Sequence, residues 1–462
     1  MRENYIGKFE DKRLDKRAHS FSSLLYFGGC SSIHGITMRE SEQKAAYRFL
    51  SNDKVTEKIL IEAAIERSGC LCLDKDLLVI QDTTEFNFKR HSKRLKPGKG
   101  MGLTGNNEDK GFFLHGALVL DAATLTILGF SNVQIWHRQE DKLNKEQRGY
   151  KGLPIEKKES NKWIKAAEES KNHLSKARSL TFIEDREGDI YEQFSTIPDE
   201  RSHLIIRSRD DRKLSDGGKL FSRLADQPAA GNYVIDIVKD IRKGVKKRKA
   251  HVEVRFCQVD IAQPVRLNGS KLAKSVTLNA VEVREVKGPK KGAVLWRILT
   301  THAVGSYQQA VNIVNKYRQR WHIEQLFRLM KKKGFKIESS ELETGWAIRK
   351  LTVMILNSAL RVMQLRLAYN NEESQAVEEV FDKDEIKCLK AANEELQGNT
   401  TKLKNNNHPK KLCWATWIIA RLGGWKPYDN NRPPGPIILK KGLDQFEILY
   451  MGWKLALRKD VS

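Results

Sequence analysis

The sequence has few cysteines and no long uncharged apolar run. Its six cysteines are scattered over 462 residues, at Cys30, Cys70, Cys72, Cys257, Cys388 and Cys413. Cys70-x-Cys72 is closer than zinc-knuckle spacing, so we interpret these residues as reduced thiols of a cytoplasmic protein. No apolar run reaches transmembrane length, and the first residues do not resemble a signal peptide. These absences argue against a zinc-knuckle protein, a secreted protein and a membrane-spanning protein.

Acidic residues are scarce relative to basic ones. The chain has 58 Asp and Glu against 83 Lys and Arg, which gives a net charge of +25. An excess of this size predicts a polyanionic partner, and it favours nucleic acid. A membrane surface is the competing polyanion, but the sequence has neither a long basic amphipathic helix nor a lipidation motif. Apolar residues make up 40% of the chain, which predicts a globular protein of about two or three domains.

The pattern of apolar residues divides the chain into three segments. Residues 1–66 are predicted to be helical and basic, and Thr37-x-x-Glu40 resembles a capping box. Residues 67–370 alternate short strands with helices, and a β-rich insertion occupies about 210–300. Residues 371–462 are predicted to be helical. The last helix carries one apolar stripe, formed by Leu443, Phe446, Tyr450, Trp453 and Leu457. This stripe either docks on its own domain or pairs with a second copy of the chain.

Two carboxylates directly follow short apolar strands, and a third lies on a later helix. Asp82 follows the strand at 77–80, Asp185 follows the strand at 180–183, and Glu324 is the third acid. If these acids meet, they form an oxygen-ligand site for Mg²⁺ or Mn²⁺. Two such ions, about 3.5–4 Å apart, activate a water and stabilise the leaving oxygen of a phosphodiester. Other acids after strands are interpreted as turn residues: Asp121, Asp141 and Asp189.

The segment from Tyr317 to Lys331 is predicted to be one helix with an unusual charged stripe. Tyr317, Arg320, Glu324 and Lys331 would fall within an arc of about 60°. A carboxylate there can hold a divalent metal, and the cations can hold phosphate. The alternative is a solvated face on which Arg320 and Glu324 form a pair worth a few tenths of a kcal/mol. The neighbouring face would be buried through Ile323, Leu326, Phe327 and Met330.

Several segments together resemble the DDE transposases of the insertion-sequence-four family. The first is Val79-Ile-Gln-Asp-Thr-Thr84, and the second is Asp185-Arg-Glu187 followed by Asp189-Ile190. The most specific is the Tyr-x2-Arg-x3-Glu-x6-Lys signature, which ends at Lys331. Further resemblance lies in 46–49, 206–208, 277–281, 296–300 and 420–424, so the similarity runs through nearly the whole chain in the same order.

The resemblance implies an α/β fold with an RNase H-like catalytic core and an inserted β-subdomain. Helical N-terminal DNA-binding and C-terminal dimerisation domains would flank this core. The resemblance makes Asp82, Asp185 and Glu324 the catalytic ligands of two Mg²⁺ ions, for which Mn²⁺ can substitute. It assigns DNA contacts to Tyr317, Arg320, Arg328 and Lys331, and it gives Trp296 a stacking role on a flipped base. The alternative for Trp296 is a buried core position.

The activity implied by the resemblance is cut-and-paste transposition. One strand is nicked at the transposon end, the freed 3′-OH forms a hairpin, the hairpin is opened, and the end is joined to target DNA. The implied partners are double-stranded DNA, both end repeats and target, and a second copy of the chain, with no membrane. The implied location is the bacterial cytoplasm, at the nucleoid. Two alternatives stay open: a non-catalytic DNA-binding inhibitor of transposition, and a structure-specific RNase H-like endonuclease.

Overall fold

The chain folds as a mixed α/β protein with two units. The computed structural model describes residues 5–28, 32–37, 39–91, 94–95, 100–139, 152–237, 247–289, 292–428 and 432–459. Unit 1 comprises residues 1–73, 83–142 and 322–462, and unit 2 comprises 74–82 and 143–321. The three-segment division remains a prediction. Lys93 and Lys96 of the basic loop predicted between residues 89 and 100 lie outside the described residues.

The described part of the chain contains helices and strands in the following bounds. The helices are α1 (Lys12–Gly28), α2 (Ile33–Ile36), α3 (Glu40–Ser51), α4 (Glu57–Leu71), α5 (Asn161–His173), α6 (Tyr191–Thr196), α7 (Leu220–Ala225), α8 (Tyr307–Arg318), α9 (Trp321–Arg328), α10 (Gly345–Ala368), α11 (Lys383–Leu396), α12 (Leu412–Leu422) and α13 (Pro436–Lys459). The strands are β1 (Asp76–Asn87), β2 (Gly102–Leu103), β3 (Lys110–Asp121), β4 (Ile127–Trp136), β5 (Ser179–Glu184), β6 (Ser202–Arg207), β7 (Gly231–Ile237), β8 (Arg248–Ala262), β9 (Ser275–Glu285) and β10 (Leu295–Thr300).

Unit 2 is built on a large mixed sheet. The first half of β1 pairs in parallel with β5, and β5 pairs in parallel with β6. Strand β10 then joins β6 in antiparallel orientation, and β9, β8 and β7 follow, also antiparallel. The short apolar runs at 77–80 and 180–183 are buried in this sheet, as their composition predicts.

Unit 1 contains the β3–β4 hairpin and most of the helices. The two strands pair in antiparallel orientation, which confirms the predicted hairpin. Asp121 accepts hydrogen bonds from the backbone N–H groups of Ala123 at 2.9 Å and Thr124 at 3.2 Å, so it is the turn residue that the sequence predicts. The predicted capping box at Thr37 is wrong, because α3 begins only at Glu40 and the Thr37 hydroxyl donates to the Ile33 carbonyl at 2.9 Å.

Helix α10 is the central helix of unit 1. It is buried on nearly all sides, and it packs against α1, α3, α4, α12, α13 and β4. Among the described residues, α10 alone is long and apolar enough to cross a membrane, although the sequence predicted no such segment. Because 83% of its apolar stretch is buried inside the protein, we interpret α10 as a core helix.

Three cations on α10 are buried, and each has a partner in unit 1. Arg349 binds Glu57 on α4 at 2.6 Å. Lys350 donates to the backbone carbonyls of residues 50 and 52 at 3.1 and 2.9 Å, and burial lowers the pKa of its amine. Arg361 pairs with Glu385 of α11 at 3.0 Å, and both side chains are almost fully buried. These contacts satisfy charges that would otherwise oppose burial of the helix.

Glu385→Ala is expected to lower the free energy of unfolding by about 3–5 kcal/mol, because it leaves the buried Arg361 guanidinium without its carboxylate. Urea unfolding followed by circular dichroism measures this change. Glu394→Ala, at an exposed position of the same helix, is the matched control and should change the value by less than about 0.5 kcal/mol. Equal losses in the two variants would contradict the assignment.

The first part of the apolar stripe on α13 docks within unit 1. Leu443, Phe446 and Tyr450 are buried, and the Phe446 ring packs edge-on against Phe381. Further along the helix Leu457 is 47% exposed. Docking on the helix's own unit therefore accounts for the first three positions, while pairing with a second copy remains a prediction.

Candidate active site

The parallel pairing of β1 with β5 leads towards Asp82 and Asp185. Its last pair is Ile80 with Ile183, and each aspartate lies two residues further along its own chain segment. Asp185 directly follows the carboxyl end of β5, whereas Asp82 lies in the middle of β1, which continues to Asn87, so the strand end predicted just before Asp82 is wrong. Both carboxylates are partly exposed, so a ligand in solvent can reach them.

The turn after β5 fixes Asp185 and buries the acid beside it. One oxygen of Asp185 accepts the backbone N–H of Glu187 at 2.7 Å and so caps a short 3₁₀ turn. Glu184 is fully buried and accepts a hydrogen bond from Gln193 at 2.6 Å, and burial raises the pKa of its carboxyl well above the ordinary value. A Cβ on Gly188 would lie 2.0 Å from the Glu184 carboxylate, so the turn requires glycine there.

Arg320 binds Asp82 directly. Its Nη1 donates to the Asp82 carboxylate at 3.0 Å, and the two side chains are only 18% and 14% exposed. The prediction of one continuous helix is wrong at this point, because α8 ends at Arg318 and α9 begins at Trp321. The Arg320 N–H bonds to the carbonyl of Tyr317, three residues back, so the α-helical ladder is interrupted where Arg320 turns to Asp82.

Tyr317 lies in the same cluster of unit 2, and the cluster contains a further arginine. Burial raises the pKa of the Tyr317 hydroxyl, while Arg320 and Arg207 act against that rise and Asp185 adds to it. Burial lowers the pKa of Arg207, and the neighbouring Tyr317 hydroxyl acts against that shift. Arg207 belongs to segment 206–208 of the resemblance, but no site role was predicted for it. Its position could have indicated a site residue, because Arg207 is the last residue of β6, the strand that pairs with β5.

Trp296 stands beside Tyr317 rather than in the core. It lies on β10, it is half-buried, and its ring centroid is 6.4 Å from that of Tyr317, with the ring planes inclined at 59°. A fully buried core position is therefore wrong for this tryptophan. A half-exposed aromatic ring is suited to contact a nucleobase.

The remaining predicted site residues belong to unit 1. Glu324 is half-buried on α9, and Arg328 is exposed at the end of that helix. Lys331 lies in a π-helical turn, Leu329–Lys333, with its amine 5.5 Å from the centre of the Phe86 ring. The predicted apolar face is confirmed, with buried side chains at Ile323, Leu326, Phe327 and Met330.

Asp189, four residues after Asp185, has a structural role. Asp189 is buried, pairs with Arg212 at 2.5 Å, and accepts the backbone N–H of Arg209 at 2.7 Å. It therefore holds the segment after β6 in place. Asp141 lies outside the described residues.

The donor set of the predicted metal site suits a hard divalent cation. Asp82 and Asp185 offer carboxylate oxygens, which Mg²⁺ and Mn²⁺ prefer. Within the described ranges, no three His, Cys, Asp or Glu side chains are already grouped to hold a metal. In the structure the cation beside Asp82 is the Arg320 guanidinium.

A comparison with known protein families bears on the first residues of the chain. Residues 3–55 match the model described as transposase DNA-binding. This match supports a DNA transposase. The matched segment covers α1, α2 and α3, and in α1 the basic side chains of Lys12, Arg13 and Lys16 are exposed while Leu14 is buried.

A comparison with solved structures gives a match of low similarity. The chain is similar to a piggyBac transposase in a synaptic complex with hairpin DNA, with 10% identity and a TM-score of 0.29. The match covers 64% of this chain and about half, 52%, of that one. Similarity this low says nothing about the site residues, which are therefore judged from their own geometry.

Proposed function

We propose that this transposase is a DDE enzyme of the insertion-sequence-four family, most similar to the transposase of transposon five. It would have an RNase H-like core and catalyse cut-and-paste transposition. The observation that carries the proposal is the parallel pairing of β1 with β5, whose last pair, Ile80 with Ile183, comes two residues before Asp82 and Asp185. Ligands of open α/β sheets commonly bind where parallel strands reach their carboxyl ends, and Asp185 follows such an end.

Asp82 and Asp185 would hold the metal, and Glu324 is proposed as the third ligand on the strength of the sequence signature. Bound Mg²⁺ would supply an activated water and charge stabilisation at the leaving oxygen. Arg320 and Arg207, which both neighbour Tyr317, would bind the phosphate beside the cleaved bond, and the Tyr317 hydroxyl would donate to it. In DNA-free protein Arg320 would neutralise Asp82, and bound phosphate would draw the guanidinium away.

Trp296 and the cations of unit 1 are proposed to hold the DNA end. Stacking on the Trp296 ring would offset part of the few kcal/mol that an unstacked base costs. Arg328 and Lys331 would contact backbone phosphates. The 3–55 segment would bind the terminal repeats, and two copies of the chain would act together at the paired ends. The proposed reaction needs no covalent intermediate between enzyme and DNA. The protein contributes by aligning the reacting groups and binding the phosphates.

Incubation with DNA that carries the ends of its own element tests the proposal. With Mg²⁺, we expect a nick at each transposon end, followed by hairpin-capped ends and by joined products, all resolved on denaturing gels. Nicks without hairpins or joining would favour an RNase H-like endonuclease. Specific binding without any cleavage, in Mg²⁺ and in Mn²⁺, would favour a DNA-binding inhibitor. Either of these results would contradict the proposed cut-and-paste enzyme.

A further inference from the structure

A long stretch of the C-terminal part of unit 1 contains no acidic residue. Residues 396–428 include six Lys and Arg but no Asp or Glu, although the chain average of 58 acids in 462 residues predicts about four. Lys402, Lys404 and Lys426 are exposed there, and so is the ring of Tyr428. We call these four residues the lysine surface. Across the part of the chain that the structure describes, none of the three lysines forms an ion pair.

The loop that carries the lysine surface is anchored by its other polar groups. The Tyr428 and Thr400 hydroxyls are 2.6 Å apart, and the Lys402 amine lies 5.7 Å from the centre of the Tyr428 ring. Asn405 donates to the Asn393 side chain at 2.9 Å and to the Trp414 carbonyl at 3.1 Å. The loop therefore holds its lysines in fixed places while their amines remain in solvent.

Exposed lysines that form no ion pair make a surface positive, and a positive surface attracts a polyanion. Lysine is a compact point charge that binds a phosphate without reading a base, and a tyrosine at such a surface can contact phosphate or sugar. The lysine surface offers no exposed arginine fork for bidentate recognition of guanine. This chemistry fits the backbone of duplex DNA, bound without regard to sequence.

We propose that the lysine surface is a second DNA-binding surface, separate from residues 3–55, which holds the backbone of duplex DNA independently of its sequence. In a transposase this duplex would be flanking or target DNA. The inference requires only a DNA-binding protein. It does not depend on catalysis at Asp82 and Asp185.

The salt dependence of binding to a duplex of arbitrary sequence, about 40 bp long, tests the proposal. Each phosphate contact contributes about −0.9 to the slope of log K against log salt, so Lys402→Gln, Lys404→Gln and Lys426→Gln combined should shallow the slope by about 2–3. The matched control changes three exposed lysines on α11, of which Lys387 pairs with Asp384: Lys383→Gln, Lys387→Gln and Lys390→Gln. This control should shift the slope by less than about 1. Equal slopes for the two triple variants would overturn the proposal.

Lysine acylation of the unmodified protein, read by mass spectrometry, identifies the partner. Duplex DNA should protect Lys402, Lys404 and Lys426 at least about fivefold more than it protects the α11 lysines. Equal or stronger protection by polyglutamate would point to an acidic protein partner instead, and stronger protection by single-stranded RNA would point to RNA. Both would overturn the proposal. Asp185→Asn protein should show the same protection, so failure of the catalytic proposal and failure of this one are distinguishable.

Discussion

Asp185→Asn is expected to abolish cleavage of transposon-end DNA, with a rate loss of at least about 10³-fold. A catalytic metal contributes several kcal/mol of transition-state stabilisation, and each 1.36 kcal/mol is a factor of ten. The substitution keeps the shape of the side chain and an oxygen that can accept the Glu187 N–H, so the turn after β5 should persist. Nicking is measured on end-labelled DNA with Mg²⁺, and binding of the same DNA, measured alongside, should change by less than about twofold.

The control for this variant is Asp74→Asn, which removes the same charge at an exposed turn before β1. Asp74 has a φ of 53°, a left-handed conformation that asparagine tolerates well, so cleavage should stay near the wild-type rate. Asp82→Asn should match Asp185→Asn, and the double variant should be no slower than either, because residues that act as one unit are not additive. Near-normal cleavage by Asp185→Asn would rule out this carboxylate as a metal ligand.

The two aspartates could be predicted because their signal is local. A short, mostly apolar run followed within two positions by an acid predicts a buried strand that delivers a carboxylate at its end. Strand β5 has this form, whereas β1 is buried as predicted but continues past Asp82 to Asn87. The β3–β4 hairpin was also predictable from its turn residues. The sequence did not reveal the register itself, in which Ile80 meets Ile183 across a gap of about a hundred residues.

The features that sequence reasoning missed depend on partners distant in the chain. The helix is interrupted before Trp321 because Arg320 reaches Asp82, which lies 238 residues away. Helix periodicity alone cannot predict such an interruption. Arg207 was missed because its contact with Tyr317 joins strand β6 to a helix about a hundred residues later. The sequence did not reveal α10 as a helix long and apolar enough to span a membrane, because Arg349 and Arg361 interrupt its apolar residues. The acids that pair with these arginines come next to them only in the folded protein.

Arg320→Ala is expected to slow end cleavage by about 10²–10³-fold, the usual loss when one preorganised donor is removed from a developing charge. The same variant should lower the free energy of unfolding by only about 1–3 kcal/mol, because one charged hydrogen bond to Asp82 disappears. Arg320→Lys, which keeps the charge but lacks the planar fork, should recover part of the rate. Single-turnover cleavage and urea unfolding on the same preparations provide the two measurements.

Strand β1 supplies a matched control at its other end, where Arg178 pairs with Asp76. Arg178→Ala also breaks an ion pair between an arginine and an aspartate of β1, but Asp76 lies six residues before Asp82 on that strand. The variant's cleavage rate should therefore stay within about threefold of wild type. Because Arg320 competes with a metal for Asp82, Arg320→Ala should bind Mn²⁺ at least as tightly as wild type in titration calorimetry. Weaker Mn²⁺ binding would show that Arg320 supports the carboxylate, and equal cleavage losses in both arginine variants would show that only stability had changed. A normal or tighter metal site with slow cleavage would assign Arg320 to the phosphate of the DNA end.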